Sequence, residues 1–152
     1  MGCTGSSETY ENWTMKVEDL EKKCLESQGW KEGEYVAKYT NIEMDGAPYR
    51  VRTYYFGCDD KSKPLLIFTH GFMQPILGTF GFAKACVKHF RLIAYDNCNW
   101  GLNTRTYDSP AINDPVAAEK WILEFHEKTI DHLDCLAPGD KFFLAGHSHG
   151  GY

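Results

Sequence analysis

Phe142-Phe143-Leu144-Ala145-Gly146-His147-Ser148-His149-Gly150-Gly151 is the stretch that decides the fold of this 152-residue chain. A short apolar run, as expected of a buried strand, passes straight into G-x-S-x-G. That pattern is a nucleophile elbow, a sharp strand-to-helix turn that lifts a serine hydroxyl above the end of a sheet. Glycines flank the serine because the strained backbone there brings neighbouring segments too close for a Cβ. Ser148 is therefore the candidate nucleophile. The backbone N–H of His149 is a candidate oxyanion donor, since the residue after the serine points its N–H at the developing charge.

Upstream, the pattern is that of strands and helices in alternation. Asp114-Pro115 opens a long helix, with an N-cap aspartate and a proline at the first helical position. Ala118, Trp121, Ile122, Phe125 and Thr129 form its inner face. Pro64–Thr69 and Leu92–Tyr95 are continuous apolar runs, as expected of strands covered on both faces of a parallel sheet. A helical segment over about Thr79–His89 joins them. Before these lie two strand-like runs, Glu34–Ile42 and Tyr49–Phe56, joined by the turn Asp45-Gly46-Ala47-Pro48. The fold class is α/β, a mostly parallel sheet with an antiparallel N-terminal hairpin.

The chain divides into residues 1–33, a flexible start followed by an amphipathic helix, and residues 34–152, the sheet domain up to the elbow. In the first part Trp13, Val17, Leu20 and Cys24 fall on one helical face, and Gly29 ends the helix. That face either lies on a membrane or docks on the domain itself. Met1-Gly2-Cys3-Thr4-Gly5-Ser6 fits the N-myristoylation pattern, with Cys3 placed for palmitoylation. One acyl chain anchors marginally and a second makes the anchor stable, so Gly2 and Cys3 together are expected to hold the protein at a membrane surface in the cytoplasm.

A net charge of -5 gives no basic footprint for nucleic acid. Six cysteines without C-x-x-C pairs read as reduced thiols rather than a disulfide framework or zinc site. His147 and His149 stand two apart, whereas a metal-binding pair on a helix stands four apart, so no metal and no cofactor is expected.

Thr69-His70-Gly71-Phe72-Met73 follows the first buried strand. The N–H of Phe72, with Met73 as the fallback, is the candidate second oxyanion donor, and His70 is expected to brace the loop. Asp96, after the second buried strand, reads as a turn residue that ties its loop by Asx-type hydrogen bonds.

With H-G-F, Y-D-x-x-x-x-G, a long helix and G-H-S-x-G-G in this order, the sequence resembles the α/β-hydrolase superfamily from about Tyr35 to Tyr152. This is close to half of a complete domain. The elbow and its preceding helix look most like the lipid-metabolising branch, which includes lysophospholipid lipases, lysophosphatidic acid acyltransferases and a lipase coactivator. The turn that the family writes D-x-x-G-x-G-x-S departs at two positions, reading Asp96, Asn99, Gly101 and Asn103. The resemblance implies sheet order 1-2-4-3-5 for these strands, with the elbow strand at an edge. It also implies a serine esterase, or an acyltransferase, that works on a small-molecule ester of lipid type through an acyl-enzyme. The triad acid and histidine follow the serine in that family, so they are expected beyond Tyr152. These 152 residues alone are expected to be catalytically silent. The alternative is a non-catalytic, membrane-anchored interaction protein or lipase coactivator, whose sheet is completed by a partner chain.

Overall fold

A computed structural model describes residues 10–71, 75–98, 101–103 and 114–151. The candidate acylation sites Gly2 and Cys3, and the candidate donors Phe72 and Met73, lie outside the described residues.

Strands β1 (Tyr35–Met44) and β2 (Ala47–Phe56) pair antiparallel, with Tyr35 opposite Phe56 and Met44 opposite Ala47. The expected four-residue turn tightens to Asp45-Gly46, whose φ values are 50° and 75°. Two consecutive left-handed residues make the hairpin turn whose twist matches that of the strands. Ala47 and Pro48 join β2, where proline is tolerated at a strand's beginning. Strands β3 (Leu65–Thr69), β4 (Arg91–Tyr95) and β5 (Phe142–Gly146) run parallel to one another, and β2 is antiparallel to β4. The sheet order is β1-β2-β4-β3-β5, as expected.

The apolar runs are continuous because both faces of the central strands are covered. Leu65, Ile67, Ile93 and Tyr95 face a core with Trp121 and Phe125 of helix α3 (Pro115–Asp131). Leu66, Phe68, Leu92 and Ala94 face a second core with Phe80 and Ala83 of helix α2 (Phe80–Cys86), and with Leu25 and Trp30. A 3-10 turn, Ile76–Thr79, precedes α2. The expected helix over Thr79–His89 is therefore shorter and begins as a tighter coil. Asp114 caps α3 as expected, its carboxylate accepting from the N–H groups of Val116 at 3.0 Å and Ala117 at 3.3 Å. Strand β5 closes one edge of the sheet, and Phe143 and Leu144 are 59% and 66% exposed.

Helix α1 (Tyr10–Ser27) corrects the periodicity reading. Leu20 is 67% exposed, while Glu21 and Leu25 are buried. The helix turns its charged residue inward because Glu21 has partners there. Arg52 Nε donates to it at 2.8 Å, Arg52 Nη2 completes a two-pronged ion pair, and the Tyr54 hydroxyl donates to the same carboxylate. Gln28 Nε2 donates to the Leu77 carbonyl at 2.7 Å, and Trp30 Nε1 to the Phe80 carbonyl at 3.1 Å. The described part of α1 is thus docked on the sheet domain.

On the α3 side, Nδ1 of His126 shares a 2.9 Å hydrogen bond with the Tyr95 hydroxyl. Burial lowers the His126 imidazole from 6.5 to about 4. Between these values the unfolded chain holds a proton that the folded chain refuses. Stability is therefore expected to be intact above pH 6.5 and to fall as pH drops toward about 4, by roughly 2–3 kcal/mol. Urea unfolding of the protein and of His126→Gln across this range checks it. The variant should show a flatter profile, and identical profiles would contradict the assignment.

Candidate active site

Strand β5 ends at Gly146 and the chain turns at once into a 3-10 turn, Ser148–Gly151. Ser148 has φ 54°, in the left-handed region where a side chain is strained, and is solvent-exposed. Such strain costs on the order of 1–3 kcal/mol and persists where surrounding structure over-determines it.

The surroundings do so here. The His147 N–H donates to the Thr69 carbonyl at 3.1 Å, and the Gly150 N–H to the His147 carbonyl at 3.0 Å. The Thr69 hydroxyl donates to the Gly150 carbonyl at 2.6 Å. A Cβ on Gly146 would fall inside the Gly150 carbonyl and 2.6 Å from the Gly151 nitrogen. One on Gly150 would lie 2.5 Å from the His70 carbonyl oxygen and 2.7 Å from that of Thr69. One on Gly71 would lie 3.1 Å from Ser148 Cβ, which places the loop after β3 directly against the serine.

His70 and Asp96 are both fully committed to bracing the loops. The Asn97 N–H donates to His70 Nε2 at 2.8 Å. Nε2 must therefore accept, and Nδ1 carries the proton that it donates to the Gly71 carbonyl at 2.7 Å. Although Asp96 Oδ1 lies 3.5 Å from Nε2, that nitrogen has no proton to share with it. Oδ1 instead accepts from the Ile76 N–H at 2.9 Å, and Oδ2 from the Leu102 N–H at 2.9 Å. As expected, Asp96 ties its turn, but it reaches further than an Asx turn, to a residue six positions on and to a separate loop. Gly101, at φ 62°, packs its Cα against that carboxylate where a Cβ would overlap it.

Two residues to which the sequence assigned no role complete the frame. Asn103 stands where the resembling family carries serine. Its Nδ2 donates to the carbonyls of Asp96 at 3.0 Å and Asn97 at 2.9 Å, and its Oδ1 accepts from the Arg52 N–H at 2.8 Å. An amide has donors and an acceptor for all three bonds. Thr69 clamps the elbow across 81 residues of sequence. His147 is exposed and adjacent to the serine, and of His149 only the backbone is described. Among the described residues no group of three His, Cys, Asp or Glu side chains could hold a metal ion.

No protein-family model and no curated protein matches the chain. Solved structures do. A protein assigned as a lipase in Acinetobacter baumannii AYE superposes with TM-score 0.58 at 15% identity, over 98% of this chain and 41% of its own. A protein assigned to the α/β-hydrolases in a Nostoc species gives 0.54 at 18% identity, over 75% of this chain and 35% of its own. The thioesterase domain of the curacin biosynthetic pathway gives 0.53 at 18%, over 76% and 36%. The chain thus spans about two fifths or less of the structures it matches. With its strand order, antiparallel first hairpin and left-handed serine after β5, the chain is an N-terminal portion of the α/β-hydrolase fold.

Proposed function

We propose that the protein is a serine hydrolase that acts on carboxylic esters through an acyl-enzyme on Ser148. The observation that carries this reading is the backbone of Ser148, left-handed at φ 54° and locked between two glycines whose Cα atoms touch backbone. Strain of this kind at an exposed hydroxyl is retained where function needs it. The likeness to an assigned lipase and to a thioesterase domain supports the acyl class.

In the whole domain, Ser148 Oγ attacks the ester carbonyl carbon while its proton passes to a histidine later in the chain, oriented by a later carboxylate. The tetrahedral oxyanion is held by the N–H groups of Phe72 and His149. Collapse expels the alcohol, which takes the proton from the histidine, and water or a second alcohol then releases the acyl group. His70 and Asp96 do not share in this proton transfer, because their polar atoms are already paired with backbone.

Ser148→Ala in the whole domain should abolish fluorophosphonate labelling and ester hydrolysis. Asp96→Asn should lower stability by about 1–3 kcal/mol, through the lost charge on two backbone bonds, and leave labelling largely intact. Labelling that survives Ser148→Ala removes the reading. Loss on Asp96→Asn with the fold preserved moves the acid to Asp96. A folded domain that never labels would favour the interaction-protein alternative.

The substrate class we infer is a lipid ester presented at a membrane, with Gly2 and Cys3 acylated to hold the enzyme there. Gly2→Ala should shift the protein from the membrane fraction to the supernatant in a eukaryotic cell, and unchanged recovery would contradict the anchor.

A further inference from the structure

The end of the sheet opposite the elbow holds a second arrangement that the hydrolase reading does not use. Strand β2 finishes beside the start of β4, with Phe56 opposite Leu92, and runs into Gly57 and Cys58. The connection from α3 into the start of β5 carries Cys135. Both cysteines line one open cavity of about 600 Å3, with Trp30, Lys38, Tyr55 and Lys84 around them. Both pack on the same core beneath α3, and the two side chains are near enough to interact electrostatically. Both are free and half-buried. Each sits on a turn rather than in a strand or helix, so a backbone shift that brings the two sulfurs together need break no ladder of hydrogen bonds. Lys38 and Lys84 at the cavity are ion-paired to Asp134 and Glu34.

We propose that Cys58 and Cys135 are a redox-active thiol pair that closes to an intrachain disulfide when the protein meets hydrogen peroxide. The Cys135 thiolate attacks one peroxide oxygen and the O–O bond breaks. Water leaves when the departing oxygen is protonated, and Cys135 becomes a sulfenic acid. The Cys58 sulfur then attacks the Cys135 sulfur, the S–O bond breaks, the S–S bond forms and a second water leaves with the Cys58 proton. In sum, two thiols give two hydrogens and two electrons to one peroxide, which ends as two waters. Burial, and then the neighbouring Cys135, push the Cys58 thiol up to about 12, which suits the resolving rather than the attacking position and makes closure slow. The bond ties the exit of β2 to the connection that feeds β5, whose far end carries the elbow.

Peroxide treatment of the folded protein, alkylation of the remaining thiols with N-ethylmaleimide and tryptic peptide mass mapping test this. Trypsin isolates Cys58 in the peptide Thr53–Lys61 and Cys135 in Thr129–Lys141, each with a single cysteine. These two peptides should appear joined after oxidation and separate again with dithiothreitol. In the unfolded chain, oxidised in guanidinium chloride, the joined pair should fall to a minor product. Cys58→Ser should leave Cys135 as sulfenic or higher acid with no crosslink to another cysteine. Coupling of either cysteine to Cys24, Cys86 or Cys98 in the folded protein would overturn the proposal. So would oxidation of each thiol singly, or equal yields from folded and unfolded chain.

Discussion

Gly146→Ala is expected to dismantle the elbow, at a cost on the order of 3–5 kcal/mol, while Gly151→Ala is expected to be nearly silent. The added methyl at 146 meets only backbone, the Gly150 carbonyl and the Gly151 nitrogen. No flexible side chain stands there to move aside, so the end of β5 and the turn after it must separate. That separation releases the 2.6 Å bond from Thr69 to Gly150 and frees Ser148 from its left-handed φ. At 151 the methyl would sit 3.7 Å from the Gly146 carbonyl oxygen, an ordinary contact. Urea midpoints for the two variants, with fluorophosphonate labelling of each, separate the cases. Equal midpoints would contradict the geometry. In sequence the two glycines look alike, and only the approach of Gly146 to Gly150 tells them apart.

Glu21→Ala should be the most damaging change outside the elbow, at about 3–5 kcal/mol. The guanidinium of Arg52 and the carboxylate of Glu21 are both nearly sealed from water, at 4% exposure each. Burial alone would lower the Arg52 pKa, yet the hydrogen bonds and charge of Glu21 hold it above its ordinary value. Alanine leaves the cation buried without its counter-charge and strips the Tyr54 hydroxyl of its acceptor. Chemical denaturation measures the loss. Glu21→Ala combined with Arg52→Met should recover much of it, because the penalty lies in the orphaned charge rather than in the missing bond. A double variant no better than the single would contradict this.

Most of the fold was legible because its signals are local. Asp114-Pro115 announces its helix by chemistry confined to one turn, Asp45-Gly46 by two left-handed residues, and β3 and β4 by apolar runs that only a doubly covered strand tolerates. The elbow was legible for the same reason. The face of α1 was not, since a periodicity that counts apolar side chains cannot see Glu21 turned inward toward an arginine 31 residues away. Nor could it find Thr69 as a clamp or Asn103 as a triple connector, whose partners are set by strand order rather than by neighbours in sequence. His70 and Asp96 were placed in the right loops from sequence, and the structure supplied the partners that occupy their polar atoms.

The central claim is that the left-handed residue after β5 is a reactive serine. Treating the whole domain with a fluorophosphonate and mapping the adduct by peptide mass addresses it most directly, because the tryptic peptide that begins at Phe142 contains Ser148. The account predicts a single adduct on Ser148 that forms in the folded protein and is lost when the protein is unfolded before treatment. An adduct on any other residue, or labelling that survives unfolding, would contradict it.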